Sequence, residues 1–484
     1  MRAVAIIQAA REHPCRPWPR HVLLREQWQA MAEALADDTL DLLALWADST
    51  QVHALFAGPL LASTPVHEGA YAALSSWRPV AAGFERMVRD LWGHEAVGGV
   101  DARPLLDHGA WDMIRPLSVR PGPSAGRSDP VLRPGQDEWR QVPLGPVLPW
   151  LTEPAHWRLH AVGEAVRQAE LRSGYAHKGC LALMRGKSPR AAARFAARIT
   201  GDGTVAHSIA FARAAEAALA IEAPSRAHAL RAVMAELERA AAHLDTLGQL
   251  CGAAGFGLAA AQFGRQREAL ARAAAAAFGH RLMMDAVVPG GVAVDIAAAG
   301  APAILTALEG LSDAGAWYSD AMADRLIGVG HMPDGGVGAG GVVGRAAGRP
   351  GDARVTPGYP PYDRLAVAVP VLAAGDADAQ ARVRLAEIAE SARLVRLLLG
   401  ALPPGSVNVA LPSVSGEGLG VAEGARGDVW HWLRLDGGMI ATAFAVDPSW
   451  RLGPLAELGM ATGGIEDVEL VVRSFDASAS GMDL

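Results

Sequence analysis

The sequence predicts an α+β protein: a small α/β unit over residues 1–115, a proline-rich linker over 116–144, and a mainly α-helical unit with flanking β-sheet over 145–484. Three observations carry this reading. Eight prolines stand between Pro116 and Pro149, a density that continues neither helices nor central strands. From residue 176 to residue 323 apolar side chains recur at three-four spacing, the period of a helix buried on one face. Ahead of the linker, and again after residue 406, the apolar segments are short and β-like.

In order, residues 25–36 read as a helix, followed by β-like segments at 40–46 and 52–57. After the linker, residues 156–167 alternate polar and apolar side chains as a strand does. The strongest helix is 224–247. Pro224 sits in its first turn, and Leu230, Val233, Met234, Leu237, Ala241 and Leu244 recur on one side. Glu236, Arg239 and His243 also fall at three-four spacing, so they share a face; spacing alone fits a solvated edge equally well. Residues 328–344 hold eight glycines and read as a loop or eroded helix. A helix over 378–399 precedes a Pro/Gly turn at 402–406, a β-rich stretch, a helix near 452–460 and the tail.

Composition excludes several classes. Hydrophobic residues make up 51% and charged residues 20% of 484, the balance of a folded globular chain. A net charge of −7 argues against a nucleic-acid partner, which selects for a basic excess. Cys15, Cys180 and Cys251 are odd in number and far apart, giving neither a disulfide framework nor a zinc spacing, so a reducing, cytoplasmic setting is expected. Arg11 and Glu12 end the N-terminal apolar stretch before a signal core forms, and Pro289 and Asp295 interrupt the most apolar region, 286–308. Membrane association is therefore expected to come through partners.

Few short motifs survive scrutiny. Gly336, Gly338 and Gly341 match G-x-G-x-x-G, but Met332-Pro333-Asp334 precedes them where a strand is needed. His156 and His160, with Arg158, share one side of a strand, too far apart to chelate one metal easily, and read as surface histidines. Gly201-Asp202-Gly203-Thr204 reads as a tight turn opening a helix, with Asp202 or Thr204 as its cap.

From Gly145 onward a series of ordered stretches carries a family resemblance: Glu153-Pro-Ala-His-Trp-Arg-Leu, Gly174-Tyr-Ala-His-Lys-Gly179, residues 226–247, Asp352-Ala-Arg354 with Tyr359 and Tyr362-Asp363, Glu423-Gly-Ala-Arg426-Gly427-Asp428, and Val472-Arg-Ser474. Together they resemble the large subunit of formate-hydrogenlyase-type, energy-converting [NiFe] hydrogenases and the related catalytic subunit of respiratory complex I. Trp77, Phe84-Glu85-Arg86, Arg89-Asp90 and Trp92-Gly93 are similar to the small peripheral complex I subunit often fused ahead of it.

The departures matter most. Hydrogenase relatives place metal-binding cysteine pairs where this chain has Thr200, Gly203, Ser478 and Gly481. A hydroxyl or a glycine hydrogen does not replace a soft thiolate, so no metal is expected in this chain. The resemblance also puts a quinone-facing histidine at Leu148 and a tyrosine at Gly201, and neither residue present can hydrogen-bond a carbonyl through its side chain.

What the resemblance implies is a subunit of a complex I-related assembly that has lost its [NiFe] site, on the cytoplasmic face of the inner membrane through its partners. Those would be an iron–sulfur small subunit, which would hold the clusters, other peripheral subunits and membrane-embedded subunits. No cofactor is expected in this chain, and no hydrogenase activity. Asp202, His207, Asp476, Arg426 and Leu148 are the candidate cavity residues, with Asp202, His207 and Asp476 expected to converge, and Glu236, Arg239 and His243 form a candidate polar coupling network. Two functions stand open: a structural or coupling subunit for electron transfer and ion translocation, or a redox subunit reducing quinone or another small acceptor.

Overall fold

The computed structural model describes residues 2–124, 133, 135–136, 138–311, 314–332 and 338–484. Gly336 and Val337 of the glycine motif, and part of the linker, lie outside the described residues.

The first unit is built on a five-stranded sheet. Its strands run in the order Arg11–His13, Arg20–Val22, Leu60–Pro65, Gln51–Phe56, Leu42–Ala47, with one parallel pairing between Arg20–Val22 and Leu60–Pro65. Helices Arg25–Ala34 and Ala81–Trp92 pack on it. The unit does not stand apart from the rest. Trp46 stacks on Phe444 at 5.2 Å and Phe84 on Trp450 at 4.5 Å, while Arg20 donates to Glu417 at 2.7 Å in a buried ion pair. One hydrophobic cluster thus runs from Ala3 to Leu484.

The linker's end, Arg140–Leu144, is the edge strand of a three-stranded antiparallel sheet with His156–Val162 and Ala165–Arg172. An edge tolerates Pro143, which lacks an N–H. The single strand expected over 156–167 is instead a hairpin turning at Gly163 and Glu164. His160 is not a surface histidine. It lies on the central strand, covered by Gly135 and the ring of Trp139, and is 1% exposed.

Helices form the middle of the chain: Thr204–Leu219, Ser225–Ala253, Gly257–Phe278 and, later, Ala377–Gly400. The expected helix at 224–247 runs on to Ala253. Thr204–Leu219 lies directly on the strand Gly416–Glu423, the edge of a second antiparallel sheet completed by Asp428–Asp436 and Met439–Val446. The strand permits this because its inward positions are glycines. A Cβ on Gly416, Gly418 or Gly420 would stand 2.1, 2.1 and 2.3 Å from the carbonyl oxygens of Ala218, Ala214 and Ala210. Alternate glycines on the strand thus meet every fourth residue of the helix, which locks the helix in register and carries its N-terminus to the site. The tail closes the fold with helices Ser449–Met460, Val468–Phe475 and Ala479–Asp483, the last two not anticipated from the pattern.

Candidate functional site

The two segments that carry the ligand positions, residues 198–207 and the tail from Val472 (together the terminal segments), meet through Arg426, and their four ligand-position residues stand in different surroundings. Thr200 is 2% exposed, and its Oγ1 lacks a hydrogen-bond partner among the described residues. It lies 2.5 Å from where a Cβ on Gly203 would sit. Ser478 donates through Oγ to Glu153 at 2.8 Å and accepts from the Gly481 N–H at 3.1 Å, capping the last helix. Opposite Gly481 stands Asp447: a Cβ there would fall 2.6 Å from its Cγ and 2.8 Å from its Oδ1.

Asp447 is held at both oxygens. Oδ1 accepts from the Ser449 N–H at 2.8 Å, and Oδ2 lies 3.0 Å from His207 Nε2. His207 Nδ1 in turn lies 3.1 Å from His431 Nε2, and all three side chains are buried. Burial pushes the Asp447 carboxyl up, but the bond from His207 and the charges around it outweigh that and bring it down to about 2. Burial holds His431 well below the usual imidazole range. With His431 neutral and Asp447 ionised, the simplest arrangement is His207 Nε2–H donating to Asp447 and His431 Nε2–H donating to His207 Nδ1. His207 is thus engaged by Asp447 and His431, and it does not line the cavity that Asp202 and Asp476 border. His431 and Asp447 were not singled out in the sequence; lying 224 and 240 residues from His207, they give no spacing signal.

A hydroxyl, two glycines and a hydroxyl already bonded to a carboxylate do not fit a nickel–iron centre, which needs thiolates. The pocket where a fourth ligand would project is filled by Asp447.

Asp202 and Asp476 are brought together by Arg426. Its Nη1 donates to Asp202 Oδ1 at 2.8 Å, Nη2 to Asp202 Oδ2, and Nε to the Asp476 carbonyl. Burial pushes the Asp202 carboxyl up, and Arg426 more than reverses this. Burial, then the like charge of Asp202, push Asp476 upward against Arg426. The turn 201–204 is not capped by Asp202 or Thr204. Gly203 is the N-cap, without a side-chain bond, and the cap comes from the next helix: Glu238 accepts from the N–H groups of Val205 at 2.6 Å and Ala206 at 2.9 Å. A carboxylate there also meets the positive end of the helix. Burial nonetheless raises Glu238 to about 8, against those two donors.

These groups border a cavity of about 240 Å³ between helices Ser225–Ala253 and Gly257–Phe278. Gly201, Asp202, Arg426, Asp476 and Ser478 line it; Leu148 and His207 do not.

The polar face of the long helix is not a solvated edge. Glu236, Arg239 and His243 are 0%, 1% and 1% exposed. Glu236 takes hydrogen bonds from Tyr362 at 2.6 Å, Ser391 at 2.6 Å, Arg354 at 3.1 Å and Arg239 at 3.3 Å. His243 Nε2 lies 2.8 Å from Glu387, which pairs with Arg345 at 2.6 Å. Arg345 also reaches Glu423 at 3.1 Å, and Arg354 pairs with Asp352 at 2.7 Å. Burial, then the charge of Asp352, push Glu423 up to about 7. Burial lowers His243 to about 4, against the bond with Glu387. Arg384, itself buried, acts electrostatically on both Asp476 at the cavity and Glu387 in the network.

The fold and this pair of segments define a class: large subunits built on the hydrogenase and complex I plan. Residues 178–252 match the nickel-dependent hydrogenase family and residues 257–418 the 49-kDa subunit of respiratory-chain NADH dehydrogenase, so over those residues the chain is similar to hydrogenase and complex I large subunits. It is 28% identical to hydrogenase-4 component G of Escherichia coli (strain K12), covering 84% of this chain and 74% of that protein. Formate hydrogenlyase subunit 5 of the same organism is 29% identical, over 75% of this chain and 68% of that one. A chain in the solved structure of membrane-bound sulfane sulfur reductase, an archaeal respiratory membrane complex, shares the fold with a TM-score of 0.67 and 23% identity, over 73% of this chain and 100% of that chain. Among the described residues, no helix is long and apolar enough to cross a membrane.

Proposed function

We propose that the chain is the coupling subunit of a membrane-associated, complex I-related assembly, without a [NiFe] centre of its own. It sits peripherally on the cytoplasmic face of the inner membrane, beside an iron–sulfur small subunit that holds the clusters, other peripheral subunits and ion-translocating membrane subunits. The observation that supports this is the buried network. Arg239, Arg345 and Arg354 face Glu236, Asp352, Glu387 and Glu423, three cations against four carboxyls, and of the four carboxyls it is Glu423 that is pushed up to about 7. Gain or loss of its proton switches the cluster between balanced and net negative in a medium where charge is weakly screened.

Replacing Glu423 with Gln tests this in the assembled complex. Electron transfer should persist while ion translocation falls and loses its dependence on pH between about 6 and 8. Unchanged translocation and pH profile would exclude the coupling role. The redox reading rests on the cavity alone, and the three arginines that line it are already engaged by carboxyls.

A further inference from the structure

The cavity combines an apolar wall with an excess of carboxyls. Leu237, Ala241, Leu270 and Ala271, from the two long helices, form an apolar wall, and small side chains there leave the space open. The charged lining is predominantly acidic. Of the side chains lining the cavity, five are carboxyls and three are guanidinium groups: Glu153, Asp202, Glu238, Asp245 and Asp476 against Arg267, Arg281 and Arg426. The arginines are already engaged. Arg267 pairs with Asp245 at 3.4 Å, Arg281 with Glu268 at 2.6 Å, and Arg426 with Asp202 and Asp476.

That leaves Glu153 and Glu238 without an ion-pair partner among the described residues. Glu153 holds only the Ser478 hydroxyl and the Ser480 N–H, both on Oε2, and Glu238 only two backbone N–H groups. A carboxylate ligand would add negative charge to a lining in which carboxyls already outnumber guanidinium groups. One bringing a positive head with several N–H donors completes the site, and its hydrocarbon covers the apolar wall.

We propose that this cavity binds a small organic cation, a protonated primary amine on a short hydrocarbon body, with the ammonium among Glu153, Asp202, Glu238 and Asp476. The inference does not depend on the coupling role, which the Glu423 variant tests separately. In the free protein burial keeps a proton on Glu238, whose carboxyl is held up to about 8. Burial and the nearby Asp202 raise both Glu238 and Asp476; Arg239 opposes this at Glu238, and Arg426 and Arg384 oppose it at Asp476. An incoming ammonium therefore displaces protons, and its affinity rises with pH.

The test is calorimetric titration of the full chain with hexylammonium, hexan-1-ol and hexanoate at about pH 6 and about pH 8, in buffers of different ionisation enthalpy. Hexylammonium should bind saturably, about tenfold or more tightly at the higher pH. Proton release on binding is expected, with no saturable binding of the alcohol or the carboxylate. These comparisons use the unaltered protein and need no variant to fold. Leu270→Trp, which fills the space along the apolar wall, should abolish binding. The proposal is overturned if hexanol or hexanoate binds as well as the amine, if affinity is flat or falls with pH, if sodium ion alone competes at millimolar concentration, or if folded Leu270→Trp binds unchanged.

Discussion

Restoring a thiol at residue 481 should destabilise the protein, because the place is taken. Gly481→Cys puts a Cβ 2.6 Å from Asp447 Cγ and 2.9 Å from its Cβ, where ordinary contacts begin near 3.4 Å. The backbone is not the obstacle, since Gly481 is not among the positive-φ glycines. Asp447 cannot turn aside freely, because both oxygens are bonded, one to the Ser449 N–H and one to His207. Overpacking a buried contact costs about 1–3 kcal/mol. Weakening a buried bond to an ionised group costs about 1.5–3 kcal/mol more. These terms overlap, since relief of one worsens the other, so we expect a loss of about 3 kcal/mol for Gly481→Cys. In an Asp447→Gly background, which removes the Cβ as well as the carboxyl, the obstruction is gone, and the same substitution should cost less than about 1 kcal/mol. The assay is a double-mutant cycle by urea denaturation at neutral pH. Equal cost in both backgrounds would refute the claim that Asp447 fills the ligand position. A corollary is that cysteines at Thr200, Gly203, Ser478 and Gly481 together do not rebuild a metal site or give hydrogen evolution while Asp447 remains.

Two further outcomes are expected. Glu238 has a folded-state pKa raised from 4.5 to about 8, so the folded protein binds more protons than the unfolded chain in that window, and this group's contribution to stability is lost as pH rises through it. Stability of the parent relative to Glu238→Gln, from denaturation at a series of pH values, should therefore fall between about pH 5 and 8; a flat or rising difference would mean that the helix N–H donors outweigh burial. Deleting residues 1–115 should leave an aggregating chain, since it uncovers Trp432, Phe444 and Trp450 and strands the buried Glu417 without Arg20; a monomeric, cooperatively unfolding fragment in sedimentation and thermal melts would contradict that.

How much of this was legible in the sequence depends on the range of the interaction. The long helix and the shared face of Glu236, Arg239 and His243 could be read because helical spacing places them together within eight residues. Whether that face meets water or protein could not, because its partners Arg345, Arg354 and Glu387 lie over a hundred positions away and enter from other elements. The capping of the Thr204 helix was misassigned for the same reason: local rules favour Asp202 or Thr204, whereas Glu238 competes from a neighbouring helix and wins with two backbone bonds. One long-range contact did leave a trace. Glycines at 416, 418 and 420 alternate in a segment otherwise suited to a strand, and glycine there weakens a strand unless another backbone must come close.

The same contrast explains why the frame and the ligand positions stand differently toward substitution. In the buried network each charge is answered by several partners, so removing one, Glu236 for instance, takes a partner from both Arg239 and Arg354 and leaves the Tyr362 and Ser391 hydroxyls unpaired. Breaking such a pair costs about 3–5 kcal/mol, a large share of any protein's stability. At the terminal segments nothing comparable is at stake. Ser478 finds Glu153 and a backbone N–H, Gly481 accommodates Asp447, and Asp447 is answered by His207 and Ser449. A metal site can thus be exchanged for a hydrogen-bonded one with only local changes, while the charged network that surrounds it tolerates few single changes at all.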